Sequence, residues 1–325
     1  MHPAFSVIFL TTLIGAAQGL FLALFTVQSY AAFGLLPGHP NVSFYVTGSV
    51  VSVALAIAGL IASFFHLGHP ERAWRSAAKW RTSWLSREVI LLPAFMGIVA
   101  LYGAAHAFEL RPVLLRLPSG QPVDASDLLG IFGTALAFAL FIATGMIYAC
   151  IRFLREWASP LTVLNYVLLG GASGFTLAAA LAAARAADLV GFLAGWAIII
   201  TVLAAMGRVA SLLRNDRLKP TSTLQTAIGI KHPQIVQKAQ GFMGGAFNTR
   251  EFFHGRPIAF LRTVRGFFLV ATFGLPVMLL AAGLDGSLVV LALAFVVQYA
   301  GLIAERWYFF AQANHPQNLY YQSMA

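Results

Sequence analysis

Eight long apolar runs set the strongest limit on what this chain can fold into. They lie near 5–36, 45–66, 88–110, 128–154, 161–184, 188–212, 264–283 and 286–311, separated by polar or Pro/Gly breaks. A helix crosses a bilayer with roughly 20 predominantly apolar residues and satisfies its backbone polar groups internally. The runs are too long and too continuous for tilted barrel strands, which show about ten residues of alternating polarity. Charged residues make up only 10% of the sequence, against roughly 25% in an ordinary soluble domain. The expected fold is an all-α integral membrane protein, a single polytopic domain over 1–325 with about eight transmembrane helices and a short interfacial helix. The first run opens MHPAFSVIFL, without the basic segment of a secretory signal, and is expected to remain as a helix.

The cations orient the bundle. With an even number of spans both termini share one side. Arg72, Arg75, Lys79, Arg81, Arg87, Arg152, Arg155, Arg306 and the ten cations from Arg208 to Arg265 fall on that side. Only Arg111, Arg116 and Arg185 fall on the other. Cytoplasmic loops carry the excess of Lys and Arg, so both termini and the large loops are expected in the cytoplasm of a bacterial cell, with the bundle in its inner membrane. The longest polar segment, about 213–257, exceeds the roughly 2–8 residues that usually join helices and has Gly244–Gly245 as a turn signal. It reads as a solvated loop near anionic lipid or as a docking surface for a soluble subunit.

Cysteine and histidine usage narrows the chemistry. Cys150 is the single cysteine, so the chain holds neither a disulfide nor a thiolate iron–sulfur cluster of its own. Of the histidines, only His106 lies well inside a run, with His66 at the edge of another near the opposite face. That arrangement offers no pair for bis-histidine haem. A chain of this kind that carried electrons would hand them to a partner. Nothing in the sequence points to nucleic acid.

SFFHLGHPERAW, residues 63–74, gathers ionisable groups where the second run ends. The third begins near Glu88, and helices joined by a short loop are normally antiparallel neighbours, which places His66 and Glu88 at similar depth where they can share a pocket. Between them PERAWRSAAKW has Pro70 and Glu71 at a helix start, a basic stripe of Arg72, Arg75 and Lys79, and interfacial Trp74 and Trp80, so 70–81 is expected as a short amphipathic surface helix. An imidazole and a carboxylate at the edge of an apolar region suit proton exchange with a lipid-soluble quinone. Each also has a plain structural reading: His66 as a helix-end residue, Glu88 as a charge favouring a helix N-terminus or pairing with Arg87.

Four blocks, HPAFSVIFLTTLIGAAQGLFLALF, SFFHLGHPERAWRSAAKWRTSWLSREVILLPAF, MIYACIRFLREWASPLTVLNYVLLGGASGFTLA and GFMGGAFNTREFFHG, resemble the membrane anchor subunit of dimethyl sulfoxide reductase. The resemblance implies an eight-helix, haem-free anchor that binds a quinone or quinol (menaquinone or ubiquinone) as substrate. It implies a four-cluster iron–sulfur subunit and a molybdopterin catalytic subunit as partners. His66 and Glu88 match the family's quinol-binding histidine and glutamate, and Arg72 matches a further arginine near that site. The loop around 213–240 is longer than in the best-known members, and related anchors serve sulfite-oxidising molybdoenzymes, where electrons run into quinone.

Gln18 lies beside Gly15 and Gly19, a G-x-x-x-G spacing that allows close helix approach, and reads either as an interhelical hydrogen-bonding residue or as a quinone contact. His106 and Glu109 are expected at the opposite interface, Arg185 and Asp188 as a mutual pair, and Glu305 and Arg306 as an anchor of the last helix or a proton entry. The competing class is a secondary transporter. It would show broken helices and midplane charges in repeated halves, whereas here the ionisable residues crowd one face and no repeat is visible.

Overall fold

The computed structural model describes residues 1–36, 41–116, 122–239 and 247–321. Among the described residues, eight helices have the length and apolarity to cross a membrane: α1 Phe5–Ala32, α2 Val42–Phe64, α3 Trp84–Ala107, α4 Ala125–Ala149, α5 Pro160–Arg185, α6 Val190–Asp216, α7 Ile258–Ala282 and α8 Leu288–Ala311. The chain is a multi-pass membrane protein of all-α architecture.

The ends of these helices follow from side-chain caps that a hydropathy reading passes over. Asn41 Oδ1 accepts from the Ser43 N–H at 3.0 Å and starts α2 at Val42. Ser83 caps α3, which therefore begins at Trp84 and leaves Glu88 a full turn inside the helix. Asp124 and Asp127 form a reciprocal capping box that opens α4. Pro160 occupies the first turn of α5 behind Ser159. At the other end α6 runs on to Asp216, so the polar segment that follows is shorter than expected. It contains a short helix at Leu224–Ile228, and another at Phe247–Glu251 precedes α7, while Gly244–Gly245 lies outside the described residues.

The short surface helix expected over 70–81 is present, as consecutive 3₁₀ turns over Pro70–Lys79. At three residues per turn Arg72 and Arg75 fall on one line, and the guanidiniums of Arg75 and Arg81 lie over the exposed rings of Trp74 and Trp80 at 5.5 and 5.4 Å. On the opposite face, the connection between α3 and α4 is not a plain loop: it contains a two-stranded antiparallel ribbon, β1 Val113–Arg116 with β2 Pro122–Asp124.

Helices α1 and α5 form the centre. Within their most apolar windows 72% and 67% of residues are buried, against 33–44% in the other six. They cross closely because both present glycine: a Cβ at Gly19 would collide with the Gly170 carbonyl, and one at Gly174 with the backbone of Gly19 and Leu20. The G-x-x-x-G of α1 thus meets Gly170 and Gly174 of α5. Between the two faces the core is apolar, with Phe21 edge-on to Phe95 at 5.7 Å and to Tyr102 at 5.3 Å.

Helix α7 contains a π turn at Val270–Gly274, where Gly301 of α8 packs so closely that a Cβ would meet the Thr272 N–H and hydroxyl. Gln298 of α8 donates to the Thr272 carbonyl at 3.2 Å and to Thr201 Oγ1 at 3.1 Å. These bonds set the register of the last helix two turns before Glu305. The ends of the described chain meet on one face: the His2 N–H donates to the Glu251 carbonyl at 2.9 Å, and Asn318 donates to the Phe252 carbonyl at 3.1 Å. This side is the terminal face of the bundle.

Candidate functional site

Glu88, one turn into α3, is 8% exposed and accepts a hydrogen bond from Thr144 Oγ1 of α4. Its neighbour Arg87 turns away, donating to the Trp80 and Arg81 carbonyls at 2.9 and 2.8 Å and stacking over Trp84 at 4.1 Å. The reading in which Glu88 pairs with Arg87 therefore does not hold. Glu88 instead lines a cavity of about 20 Å³ together with Thr12, Gln18, Tyr166 and Arg306. That volume admits a single water or one oxygen atom of a ligand. Gln18 donates through Nε2 to the Ala137 carbonyl at 2.7 Å, so it both ties α1 to α4 and lines the cavity.

A buried ionic cluster adjoins this cavity. Arg208, Glu305 and Arg306 are 1%, 1% and 4% exposed. Arg208 Nε lies 2.7 Å from Glu305 Oε1, and Arg306 Nη2 lies 3.8 Å from Glu305 Oε2. The Arg306 guanidinium sits 3.9 Å from the ring of Tyr166 and 5.2 Å from that of Phe309. Arg208, which the sequence groups with the loop cations that follow it, lies inside α6, with Phe268 and Tyr308 beneath it at 5.5 and 6.0 Å. The signal available in the sequence is charge of both signs within apolar runs on different helices, AAMGRVASLL and GLIAERWYFF. In a membrane such charges face the bundle interior and pair with one another.

His66 and Arg72 stand apart from this cavity. His66 is exposed just beyond the end of α2 and is not among the cavity's lining residues. Arg72 is exposed in the 3₁₀ segment, 3.6 Å from Glu71, whose carboxylate also meets His69 Nδ1 at 3.1 Å. Glu88 and Gln18 are thus brought together in one enclosed site, and His66 and Arg72 occupy the surface loop on the same face.

The opposite face holds a second polar cluster, so the ionisable residues do not crowd one side. His106, expected at the interface, is 1% exposed. Its ring stacks on Tyr45 at 4.4 Å, and its Nε2 lies 3.3 Å from Gln28 Oε1, which also accepts from the Tyr102 hydroxyl. Gln28 Nε2 in turn donates to Ser126 Oγ at 2.8 Å and to Asp127 Oδ1 at 2.7 Å. This network joins α1, α3 and α4 at the end away from Glu88. Arg185 and Asp188 are both exposed on this side, and among the described residues no ion pair joins them.

Two comparisons bear on this arrangement. The family model described as DMSO reductase anchor subunit (DmsC) matches residues 1–321. The chain is also 57% identical over 326 residues to the C subunit of sulfite dehydrogenase from Allochromatium vinosum, an alignment that covers 100% of both chains. With eight membrane-length helices and a family match along nearly its whole length, the chain belongs to the DMSO reductase anchor subunit family.

Proposed function

We propose that this protein is the quinone-reactive membrane anchor of a sulfite-oxidising molybdoenzyme complex, passing electrons from a four-cluster iron–sulfur subunit into ubiquinone or menaquinone. The observation that carries the reading is the 57% identity to the C subunit of a sulfite dehydrogenase along the full length of both chains. A buried carboxylate in an apolar bundle, reached from a cavity that takes one oxygen atom, supports proton exchange at that membrane site. Glu88 and His66 exchange the protons, Gln18 lines the site, and Arg72 contacts the head group from the surface loop. The iron–sulfur subunit, with the molybdopterin subunit behind it, docks on the terminal face against 67–87 and 213–265, which gather most of the chain's cations. That face is the cytoplasmic side of the inner membrane.

The family description favours a second reading, with electrons running from quinol to a reductase partner. Membranes containing the complex distinguish the two: sulfite-dependent reduction of a short-chain ubiquinone analogue is expected, and quinol-dependent reduction of dimethyl sulfoxide without sulfite oxidation would reverse the assignment. In either case Glu88→Gln or His66→Ala should lower quinone-linked turnover by about 10²-fold. The soluble subunits should stay attached, and turnover with an artificial soluble electron carrier should be unchanged. Equal quinone-linked rates in mutant and wild type would remove these two residues from the site.

A further inference from the structure

We propose that Arg306 holds the negative charge left on the quinone head group when Glu88 takes its proton, and that Glu305 and Arg208 position that arginine. The proposal rests on the reading of Glu88 given above.

Two guanidiniums, Arg208 and Arg306, and two carboxylates, Glu305 and Glu88, are all buried near the terminal face of the bundle. Unpaired charge in such an interior is strongly disfavoured. Glu305 is shared unequally, 2.7 Å from Arg208 and 3.8 Å from Arg306, so the Arg306 charge is the less compensated. Arg306 Nε, like Nε and Nη2 of Arg208, finds no hydrogen-bond partner among the described residues, so the distances to Glu305 and the place of Arg306 on the cavity distinguish the two. Of the four groups only Glu88 and Arg306 line the cavity. The cluster is neutral while Glu88 is ionised. Once Glu88 is protonated it carries one surplus positive charge, and the guanidinium facing the cavity is Arg306.

The cavity of about 20 Å³ takes the oxygen of a ring and leaves the ring itself at its mouth. The quinol O–H bond breaks heterolytically there, its proton forms an O–H bond on the Glu88 carboxylate, and the electron pair stays on the ring oxygen, which accepts a hydrogen bond from Arg306. No electron leaves in this step, and the total charge of site plus head group does not change. Both electrons pass afterwards to the iron–sulfur partner as the second hydroxyl proton leaves by way of His66, the other proton exchanger of the proposed site. When quinone is reduced, the same transfer runs backwards and Glu88 returns its proton to the quinolate.

The test uses the assembled complex in membranes, carrying Arg306→Gln, Arg306→Lys or Glu88→Gln, assayed with a short-chain ubiquinone analogue and with an artificial soluble carrier. Arg306→Gln should lower kcat for the quinone by about 10²-fold, as for loss of a donor to a developing oxyanion, with KM changed little. Arg306→Lys, which keeps the charge, should restore part of that turnover, and the soluble-carrier rate should be unaffected throughout. If Glu88→Gln abolishes quinone turnover while Arg306→Gln leaves the quinone-linked rate unchanged, the role of Arg306 is overturned and the Glu88 site stands. If Glu88→Gln itself has no effect, the underlying site is wrong. Loss of subunit attachment in both Arg306→Gln and Arg306→Lys would also overturn the proposal, since the arginine would then be holding the bundle together.

Discussion

Arg208 is the residue whose position asks most of its surroundings. Its guanidinium is 1% exposed and depends on a single carboxylate, Glu305, for compensation. Removing one member of a buried pair typically costs about 3–5 kcal/mol, whereas replacing both by apolar groups of similar volume is often close to neutral. Glu305→Leu alone should therefore markedly lower the unfolding temperature of the detergent-purified protein, and Arg208→Met with Glu305→Leu should recover most of the loss. A double mutant no more stable than the single would mean that the loss comes from Arg306, which also faces Glu305 at 3.8 Å. Legibility at this scale depends on whether a residue's partners lie nearby in the chain. Glu88 stands out because it opens an apolar run close after a basic loop. Arg208 and Glu305 are 97 positions apart, on α6 and α8, and only the folded bundle brings their side chains together. His106 misleads for the same reason: at the end of a run it reads as interfacial, but Gln28 and Tyr45, from two other helices, cover it.

Among the elements, α1 and α5 decide how tightly the bundle closes. Gly19 and Gly174 meet backbone to backbone, so a side chain at either position forces the helices apart. Overpacking commonly costs about 1–3 kcal/mol, and contact with rigid backbone puts Gly174→Leu at the upper end or beyond. The expected result is reduced yield of folded protein and a lower unfolding temperature, while Gly195→Ala, which meets nothing nearby, leaves both unchanged. The crossing is visible in the Gly15–Gly19 spacing of α1, but its partner helix is not, since composition does not say which glycines face each other. The eight spans are legible because hydrophobic length is a property of each segment alone. Their ends shift by several residues wherever Asn41, Ser83 or Asp124 caps a helix, because a single side-chain hydrogen bond outweighs the average polarity of its neighbours. The π turn in α7 leaves no mark that periodicity detects; it answers to Gly301 and Gln298 on another helix.

Taken as a whole, the molecule has two polar ends and an apolar middle, and its orientation is open to a direct test. Cys150, the single cysteine, is exposed where α4 ends on the terminal face. In vesicles stripped of soluble subunits, a membrane-impermeant maleimide should label it when the cytoplasmic side faces outward and leave it unlabelled in right-side-out vesicles. The reverse pattern would invert the assignment made from the cations. Along α3, Glu88 and His106 are 18 residues apart, roughly 27 Å at 1.5 Å per residue, and the sequence between them contains no acidic, basic or imidazole side chain. That separation has an electrical meaning. A charge crossing the full membrane works against about 2.3 kcal/mol per 100 mV. A proton that exchanges at Glu88 and leaves by the terminal face traverses little of that field, and electrons delivered from the same face add nothing to it. Turnover should then neither generate a membrane voltage nor be slowed by one. In sealed vesicles a voltage-sensitive dye should stay flat during catalysis, and adding an uncoupler should leave the rate unchanged; a voltage that builds with turnover would require a proton route through the middle of the bundle.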